Sequence, residues 1–525
     1  MKALRLSWHA LRERPWVLAL VWMIPALLMP AVPIDETRYL SIAWEMRLGG
    51  DAIGLLLNGQ PYMDKSPLLF WLINAAWSLF GVSTFAARLV GILFAASAVA
   101  TVVAMGRRLG QADPALAGWI MLPFVVFGAF APVAMFDIVL LCFVALGMLG
   151  LIAWVQGRRR YGAAVFFAAA TLGLLAKGPV YLLHMMGPLV FVRWWHAKAL
   201  ERPWRFAAGI GVCVVLACAP LTAWAVISAA RLHGVSVLDT LTHQSVGRVT
   251  QSFAHQRNVL WYVPWVIPFL LPWSLLLRWL RAPAVFRDAR ATAGGRFGIA
   301  ATLPAFLAFS LISGKQIHYL LPLLPGAALI ASSMRERSAG AFSPRRAWLI
   351  LAAAAAAWAW PTANAVIGMR GNTHWYLAAL ISGGLLCIGA WVARTRVSRD
   401  DADGMRAASF AALMALVSAE LLVGMHLKAH MDPQELASVV NALKARGVMV
   451  AAVDDEPGMV TYLARLPEPL PRIADATTWV RQHPQGLALV HAARGVAPSF
   501  VVSPITLADG WEGLVPAGDL LKVHP

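Results

Sequence analysis

The chain has 525 residues, of which 59% are hydrophobic and only 13% are charged, and its mean hydropathy is +0.66. A water-soluble globular protein does not carry this composition, so the sequence predicts a protein that lies in a lipid bilayer. Disordered, collagen-like and disulfide-stapled proteins are excluded at the same time. The four cysteines lie in apolar runs without disulfide or metal-ligand spacing and are interpreted as small core residues: Cys142, Cys213, Cys218 and Cys387.

Thirteen apolar segments are long enough to be membrane-spanning helices. The predicted fold class is an all-α polytopic membrane protein of about 13 transmembrane helices with a small α/β domain at its C-terminal end. The first segment follows a basic start, as in a secretory signal, but no small-x-small cleavage site closes it, and it is interpreted as an uncleaved helix. The segments lie near residues 15–33, 84–105, 114–132, 138–156, 161–177, 179–195, 207–230, 261–280, 297–313, 316–333, 346–366, 375–393 and 407–427.

The Lys and Arg residues are distributed unevenly between alternate loops. With the N-terminus in the cytoplasm, 26 of the 44 lie in cytoplasmic segments, ten lie in outer segments and eight follow residue 427. This positive-inside asymmetry predicts that the C-terminus lies on the outer side. The net charge of +18 then reflects topology, and it gives no support for nucleic-acid binding.

Three outer regions are too polar to span the bilayer: residues 34–83, 231–258 and 428–525. The first two are expected to form the active site of a membrane domain, residues 1–427. In the first, the Asn58-Gly59 pair predicts a tight turn. A short helix in the plane of the interface is predicted from the helical spacing of Leu40, Ala43, Trp44 and Leu48.

The tail after residue 427 alternates predicted helices and strands. This alternation predicts an α/β domain of about 95 residues outside the membrane. Helices are expected over Pro433 to Arg446, Gly458 to Leu466 and Thr477 to Gln482, and strands over Val448 to Val453 and Leu487 to Val490.

Charged residues at the outer ends of the spans give the strongest functional signals. Asp35-Glu36-Thr37-Arg38-Tyr39 directly follows the first span, and Asp64-Lys65 pairs an acid with a base again. Asp137 stands alone in an apolar run, and Lys177 is its cationic counterpart at another outer turn. Carboxylates at a membrane boundary are costly unless they are hydrated or paired, so ion pairs that anchor helix ends remain an alternative to a catalytic role.

Two further outer stretches add basic groups, although each is also compatible with a solvated loop. One runs from His243 to Arg248, with His255 beyond it, and the other contains Lys315. Cations and carboxylates at one membrane face suit a site in which a phosphate is held while a carboxylate handles a sugar or a hydroxyl.

In this order, the motifs resemble the bacterial protein-O-mannosyltransferase-like membrane glycosyltransferases of the GT-C superfamily, and most of all those that transfer aminoarabinose to lipid A. The resemblance covers roughly residues 30–330. It rests on Asp35 to Tyr39, Gly50-Asp51, Leu57 to Gly59, Pro61-Tyr62, Lys65, Pro67-Leu68, Trp71, Phe80-Gly81, Ala87 to Leu89, Phe136-Asp137, Lys177-Gly178, His255 to Trp265, Ser313 to Lys315 and Tyr319 to Pro322.

The resemblance implies an enzyme that takes a sugar, such as 4-amino-4-deoxy-L-arabinose, from a polyprenyl (undecaprenyl) phosphate at the periplasmic face of the bacterial inner membrane. The acceptor is then lipid A or another cell-envelope molecule, and no cofactor is required. Asp35 matches the catalytic aspartate and Asp137 a second acidic position. By the same resemblance, the carrier phosphate is bound by Lys65, Arg248 and Tyr319, and further positive charge comes from Arg38 and Lys315. Supporting roles are assigned to Glu36, Asp64, His243, His255 and Lys177.

Two departures from the family pattern leave alternatives open. Asp64-Lys65-Ser66-Pro67 replaces the common Glu-Lys-Pro-Pro, and His318 stands where a second tyrosine is usual. These departures leave open a divalent metal bound through Asp64 and His243, as well as the exact substrate. A related transferase acting on protein or another glycan is the alternative within the family. A transporter of lipid-linked or small substrates is the alternative outside it, although no inverted repeat supports a transporter.

Overall fold

The chain is mostly helical in a computed structural model. Seven of the described helices are long and apolar enough to cross a membrane: Thr84–Arg108, Phe136–Val155, Pro203–Arg231, Ala293–Leu311, Ile317–Arg337, Trp375–Arg396 and Ala402–His430, after which the separate helix Pro433–Ala445 begins the tail. Four shorter apolar helices are Pro15–Leu28, Leu68–Phe80, Val180–Val190 and Val259–Phe269. The structure describes residues 8, 10–196, 202–232, 257–338, 340–368, 373–396, 402–453, 456–492, 494–507 and 510–523.

Prolines divide two of the expected spans into short pieces. Pro123 separates the helices Pro114–Met121 and Val125–Phe130, because proline lacks an amide hydrogen and restricts the residue before it. In the same way, the span expected near 261–280 consists of short helices. The expected count of thirteen therefore stays a prediction. The remaining membrane-region helices are Asp35–Gly49, Arg159–Lys177, Val192–Trp195, Ala282–Ala289 and Ala347–Gly368.

Glycines bring two helices into backbone contact and thereby place two site residues side by side. A Cβ atom on Gly150 would lie 2.6 Å from the amide nitrogen of Phe166, and one on Gly162 would lie 2.4 Å from that of Trp154. Only residues without a side chain allow this approach between Phe136–Val155 and Arg159–Lys177. Because the helices are antiparallel, the start of the first lies beside the end of the second.

The loops expected in the cytoplasm meet at one end of the helix bundle. Arg406 pairs with Asp113, and its Nη1 lies 2.9 Å from Asp403 Oδ1. Arg12 Nε lies 3.7 Å from the same Asp403 oxygen. Three charged segments that are far apart in sequence, around Arg12, Asp113 and Arg406, thus lie at the same end of the helix bundle. This is the arrangement expected when all three are loops on the same side of the membrane.

The expected helix and turn of the first outer region are both confirmed. The helix Asp35–Gly49, hereafter the outer helix, is followed by a hairpin of β1 (Leu56–Leu57) and β2 (Gln60–Pro61). The turn residues Asn58 and Gly59 have φ values of 53° and 74°. Both are left-handed, as a two-residue hairpin turn requires.

The predicted tail domain, residues 428–525, contains in its described part a four-stranded sheet in the order β3-β4-β6-β5. Strand β3 is parallel to β4, whereas β6 is antiparallel to both β4 and β5. The predicted first and third helices and both predicted strands are confirmed, and two further strands and a last helix follow them. The elements are Pro433–Ala445, β3 (Val450–Ala452), Ala476–Gln482, β4 (Leu487–Ala492), β5 (Val502–Thr506), β6 (Trp511–Pro516) and Ala517–Val523.

The helix predicted over Gly458 to Leu466 is wrong, because this stretch forms turns that dock on the outer helix. The docking segment, residues 456–466, contains Gly458 at φ 82°. The Gly458 carbonyl accepts from Ser41 Oγ at 2.6 Å, and the Leu466 carbonyl accepts from Trp44 Nε1 at 2.8 Å. These two contacts hold the stretch against the outer helix in a turn conformation. Tertiary contacts thus override the local pattern.

Candidate active site

Asp35 opens the outer helix and keeps its carboxylate accessible. Its side chain is 40% exposed, and Arg38 Nη1 lies 3.8 Å from its Oδ1. Tyr39 donates a hydrogen bond from its hydroxyl to the same oxygen over 3.4 Å. The amide groups at a helix N-terminus favour a negative charge. Asp35 is therefore an ionisable group that is held in place but can still be reached.

Glu36 points the other way and is fully buried. Arg88 binds both of its oxygens, with Nε at 2.8 Å from Oε1 and Nη2 at 2.7 Å from Oε2. The amides of Val32 and Ala134 donate to the same carboxylate at 2.7 and 3.0 Å. This saturated ion pair ties the outer helix to the Thr84–Arg108 helix, so the anchoring role that the sequence left open belongs to Glu36.

Asp137 and Lys177 form a buried ion pair at the outer ends of the two helices that the glycines bring together. Their side chains are only 3% and 7% exposed. His318 Nε2 lies 3.8 Å from the other Asp137 oxygen. The Lys177 ammonium group also lies 4.5 Å from the centre of the Tyr319 ring, which favours a cation at its face. Asp137 thus faces Lys177 and His318, and Lys177 in turn faces the Tyr319 ring.

Lys65 and Tyr39 connect this buried cluster with Asp35. Lys65 Nζ lies 5.9 Å from the centre of the Tyr39 ring and interacts electrostatically with Asp137. Burial raises the pKa of the Tyr39 hydroxyl well above its usual range, and the charge of Asp35 raises it further. Tyr39 therefore stays neutral and donates hydrogen bonds.

Several predicted residues lie apart from this cluster or outside the described residues. Lys315 is 2% exposed, and its ammonium group donates to the carbonyls of Ile312 and of Arg257, the latter at 3.1 Å. Asp64 is exposed. Among the described residues, no group of three or more His, Cys, Asp and Glu side chains could hold a metal ion. The residues outside the described part are Arg248, His243 and His255.

The structure adds three residues to the predicted site: Tyr39, Tyr62 and His318. Tyr62 lies within electrostatic range of Arg38, and His318 lies within electrostatic range of Asp35 and Lys65. All three lie within or beside motifs of the sequence, but a single tyrosine or histidine carries no signal of its own.

The assembled site places the accessible Asp35 carboxylate among several cations. Arg38 lies beside Asp35, Lys65 lies near the Tyr39 ring, and the buried Asp137–Lys177 pair is within electrostatic range of Lys65. Such a site can bind a phosphate group and at the same time offer a carboxylate to an incoming hydroxyl.

The chain is similar to known membrane transferases in sequence and in fold. Residues 64–224 match the family described as Dolichyl-phosphate-mannose-protein mannosyltransferase. An undecaprenyl phosphate-alpha-4-amino-4-deoxy-L-arabinose arabinosyl transferase of Pseudomonas aeruginosa strain UCBPP-PA14 is 30% identical over 349 residues, which are 62% of this chain and 60% of that one. One from Edwardsiella ictaluri is 27% identical over 58% of this chain and 56% of its own. The chain thus spans about 60% of the length of the curated relatives it matches.

The fold is matched over almost the whole chain. The crystal structure of ArnT from Cupriavidus metallidurans bound to undecaprenyl phosphate superimposes with a TM-score of 0.70 at 19% identity, over 97% of this chain and 98% of that one. Its apo state gives the same score at 17% identity, over 98% of each chain. The chain is a multi-pass membrane protein. It has the same fold as these two ArnT structures.

Proposed function

We propose that the chain is a membrane glycosyltransferase that moves a sugar from a polyprenyl phosphate carrier to an acceptor at the outer face of the bacterial inner membrane. The observation that carries the proposal is the accessible Asp35 carboxylate, which opens the outer helix within a group of cations. A polyprenyl chain is soluble only in the bilayer, so its phosphate is presented at the membrane surface, where the predicted topology puts these residues. The names of the relatives support undecaprenyl phosphate as the carrier and 4-amino-4-deoxy-L-arabinose as the sugar.

In this proposal the leaving group is the carrier phosphate. Lys65 and Arg248 bind it and stabilise the negative charge that develops when the bond to the sugar breaks. Tyr319 completes the phosphate site, where its ring also faces the Lys177 ammonium group. Asp137 compensates the charge of Lys177 and holds it, so that this cation does not compete with Lys65 for the phosphate.

Asp35 then faces the acceptor. For a hydroxyl acceptor it is the general base that removes the proton during attack on the anomeric carbon. For a phosphate acceptor, as in lipid A, it orients the acceptor and controls the charge in the site. Lipid A is the proposed acceptor because the relatives in the comparison carry the aminoarabinose name. A protein or another envelope glycan is the alternative within the same chemistry.

Release of free carrier tests the proposal directly. The purified chain is incubated with a panel of polyprenyl phosphate sugars, with lipid A as acceptor, and the free polyprenyl phosphate is measured. We expect release from at least one donor, and strongest release from the aminoarabinose donor. No release from any donor on the panel would contradict the proposed function.

Lys65→Gln and Arg248→Gln test the phosphate site. Each removes a charged hydrogen bond worth about 1.5–3 kcal/mol, so carrier affinity should fall about tenfold to a hundredfold. Carrier binding is measured by titration with undecaprenyl phosphate. Lys522→Gln is the matched control, because that lysine is 65% exposed on the tail domain. Unchanged binding in both variants would disprove the assignment.

A further inference from the structure

Two arginine-rich segments lie against each other at one end of the helix bundle. Residues 278–296 and 335–346 contain nine arginines and two acidic residues, which gives a net charge of +7. A backbone hydrogen bond joins the segments, because the Arg278 amide donates to the Ala341 carbonyl at 3.0 Å. The two segments therefore form one surface, hereafter the basic surface.

The basic surface lies at the end of the bundle where the charged segments around Asp113 and Arg406 meet. Asp113 pairs with Arg406, and the amide of the preceding residue, Ala112, donates to Glu336 Oε1 at 3.2 Å. Glu336 belongs to the second arginine-rich segment. The predicted topology puts these loops at the cytoplasmic face, beside the headgroups of the inner leaflet.

Exposed aromatic side chains accompany the arginines. Trp279 is 53% exposed, Phe286 is 41% exposed and Trp348, two residues beyond the second segment, is 42% exposed. Phe286 belongs to the short helix Ala282–Ala289, of which Ala289 is fully buried. Large aromatic side chains are enriched at the level of the headgroups, where the ring reaches the acyl chains. The basic surface thus offers apolar contacts to a bilayer as well as charge, and a soluble anion has no use for such contacts.

The arginines Arg281, Arg287 and Arg290 are exposed. Within the described part of the chain, none of the three forms an ion pair with a carboxylate. Arg296 differs, since it is half-buried and donates from Nη1 to the Ala291 carbonyl at 3.1 Å. A guanidinium group presents its N–H donors in a plane that matches two oxygens of a phosphate. The three exposed guanidinium groups are therefore suited to phosphates that come from outside the chain.

We propose that the basic surface binds anionic phospholipids, with the exposed arginines on the phosphates and the aromatic side chains against the upper acyl chains. Complementary charge is the main argument, because polybasic segments beside membrane-spanning helices are attracted to anionic leaflets. Orientation by the positive-inside rule needs basic residues in these loops, but it does not need exposed aromatic side chains beside them. The inference goes beyond the proposed function, because no residue of the candidate active site belongs to this surface.

Native mass spectrometry of the full chain in a nonionic detergent counts bound lipids without any sugar donor or acceptor. The chain is titrated with dioleoyl phosphatidylglycerol, which is anionic. Dioleoyl phosphatidylcholine is the reference lipid, because it has the same acyl chains and a phosphate but no net charge. The same spectra report whether the chain is a monomer or a dimer.

The test variant combines Arg281→Gln, Arg287→Gln and Arg290→Gln. A second variant with Arg281→Lys, Arg287→Lys and Arg290→Lys keeps the three positive charges. The matched control loses the same net charge at three exposed arginines of the tail domain, by Arg446→Gln, Arg481→Gln and Arg494→Gln.

We expect the parent chain and the control variant to bind phosphatidylglycerol more tightly than phosphatidylcholine. One basic residue near an anionic surface strengthens binding about fivefold, so the test variant should bind phosphatidylglycerol about a hundredfold more weakly than the parent chain. The lysine variant should keep most of the preference, because it keeps the charge. Added salt should weaken the binding of phosphatidylglycerol by the parent chain.

Equal binding of the two lipids by the parent chain would overturn the inference, and this comparison decides even when the test variant does not fold. Equal losses in the test and control variants would overturn it too, since net charge and not this surface would then be the cause. A lysine variant as weak as the test variant would assign the loss to altered packing. Dimers that disappear in the test variant, without any preference for phosphatidylglycerol in the parent chain, would assign the surface to a second copy of the chain and refute lipid binding there.

Discussion

Asp35 and Glu36 are adjacent in sequence, but their carboxylates lie in opposite environments. Asp35 is accessible and faces Arg38, whereas Glu36 is buried and bound on both oxygens by Arg88. The helix geometry explains the difference, because neighbouring residues point about 100° apart around the helix axis. Glu36 therefore anchors the outer helix, whereas the proposed chemistry belongs to Asp35.

Asp35→Asn separates these purposes by removing charge and basicity while keeping shape. We expect turnover to fall on the order of a hundredfold or more, because the carboxylate acts on the acceptor in the transition state. Carrier binding and melting temperature should change little. Turnover is measured as free carrier released per enzyme, with Asp519→Asn, on the last helix of the tail domain, as control. Near-normal turnover in Asp35→Asn would refute the mechanism and make Asp137 the next carboxylate to test.

Glu36→Gln should show the opposite behaviour. It leaves Arg88 buried without a compensating charge, and breaking a buried ion pair in this way costs about 3–5 kcal/mol. We expect a clear drop in melting temperature and in the yield of folded protein in detergent. Asp35→Asn, one residue earlier, is the natural comparison. A melting temperature equal to that of the parent chain would show that the Glu36–Arg88 pair does not anchor the outer helix.

At the scale of elements, the outer helix and its hairpin could be predicted from sequence because their signals are local. Helical spacing specifies the helix, and Asn58-Gly59 specifies the turn. The docking segment could not be predicted, because its conformation depends on Ser41 and Trp44, more than 400 residues earlier.

Gly59→Ala tests how far the hairpin depends on its left-handed turn. Gly59 has a φ of 74°, where a side chain costs about 1–2 kcal/mol. A Cβ atom there would meet Pro469 Cγ at 3.6 Å, an ordinary contact, so backbone strain and not crowding is the expected cause. We expect a lower melting temperature and faster hydrogen exchange in the hairpin. Gly49→Ala is the control, because no atom lies within 4 Å of the added Cβ, and it should change neither the melting temperature nor the hydrogen exchange of the hairpin. Equal effects in both variants would argue against turn strain.

For the whole molecule, the sequence is enough to predict a helical membrane protein with a small α/β tail domain. Uncharged apolar segments that are long enough to cross the hydrocarbon core of a bilayer are typical of transmembrane helices. The number of spans is harder to predict, because prolines divide apolar segments into helices of four to eight residues, as between Pro114 and Phe130 and again between Val259 and Leu276. Hydropathy measures composition over a window and does not detect these interruptions.

Topology is the prediction on which the site depends, because a polyprenyl phosphate sugar and lipid A must meet at the same membrane face. The basic segments joined by Arg406, Asp113 and Asp403 lie at one end of the bundle, and the outer helix and docking segment lie together elsewhere. A reporter enzyme that is active only in the periplasm should therefore work when fused after residue 428 and fail when fused within residues 395–405. A reporter active only in the cytoplasm, fused at the same two places, should give the reverse pattern. If the periplasmic reporter is active within residues 395–405 but not after residue 428, the tail domain lies in the cytoplasm. Because the docking segment contacts the outer helix, Asp35 would then also lie in the cytoplasm, on the wrong side for a periplasmic acceptor.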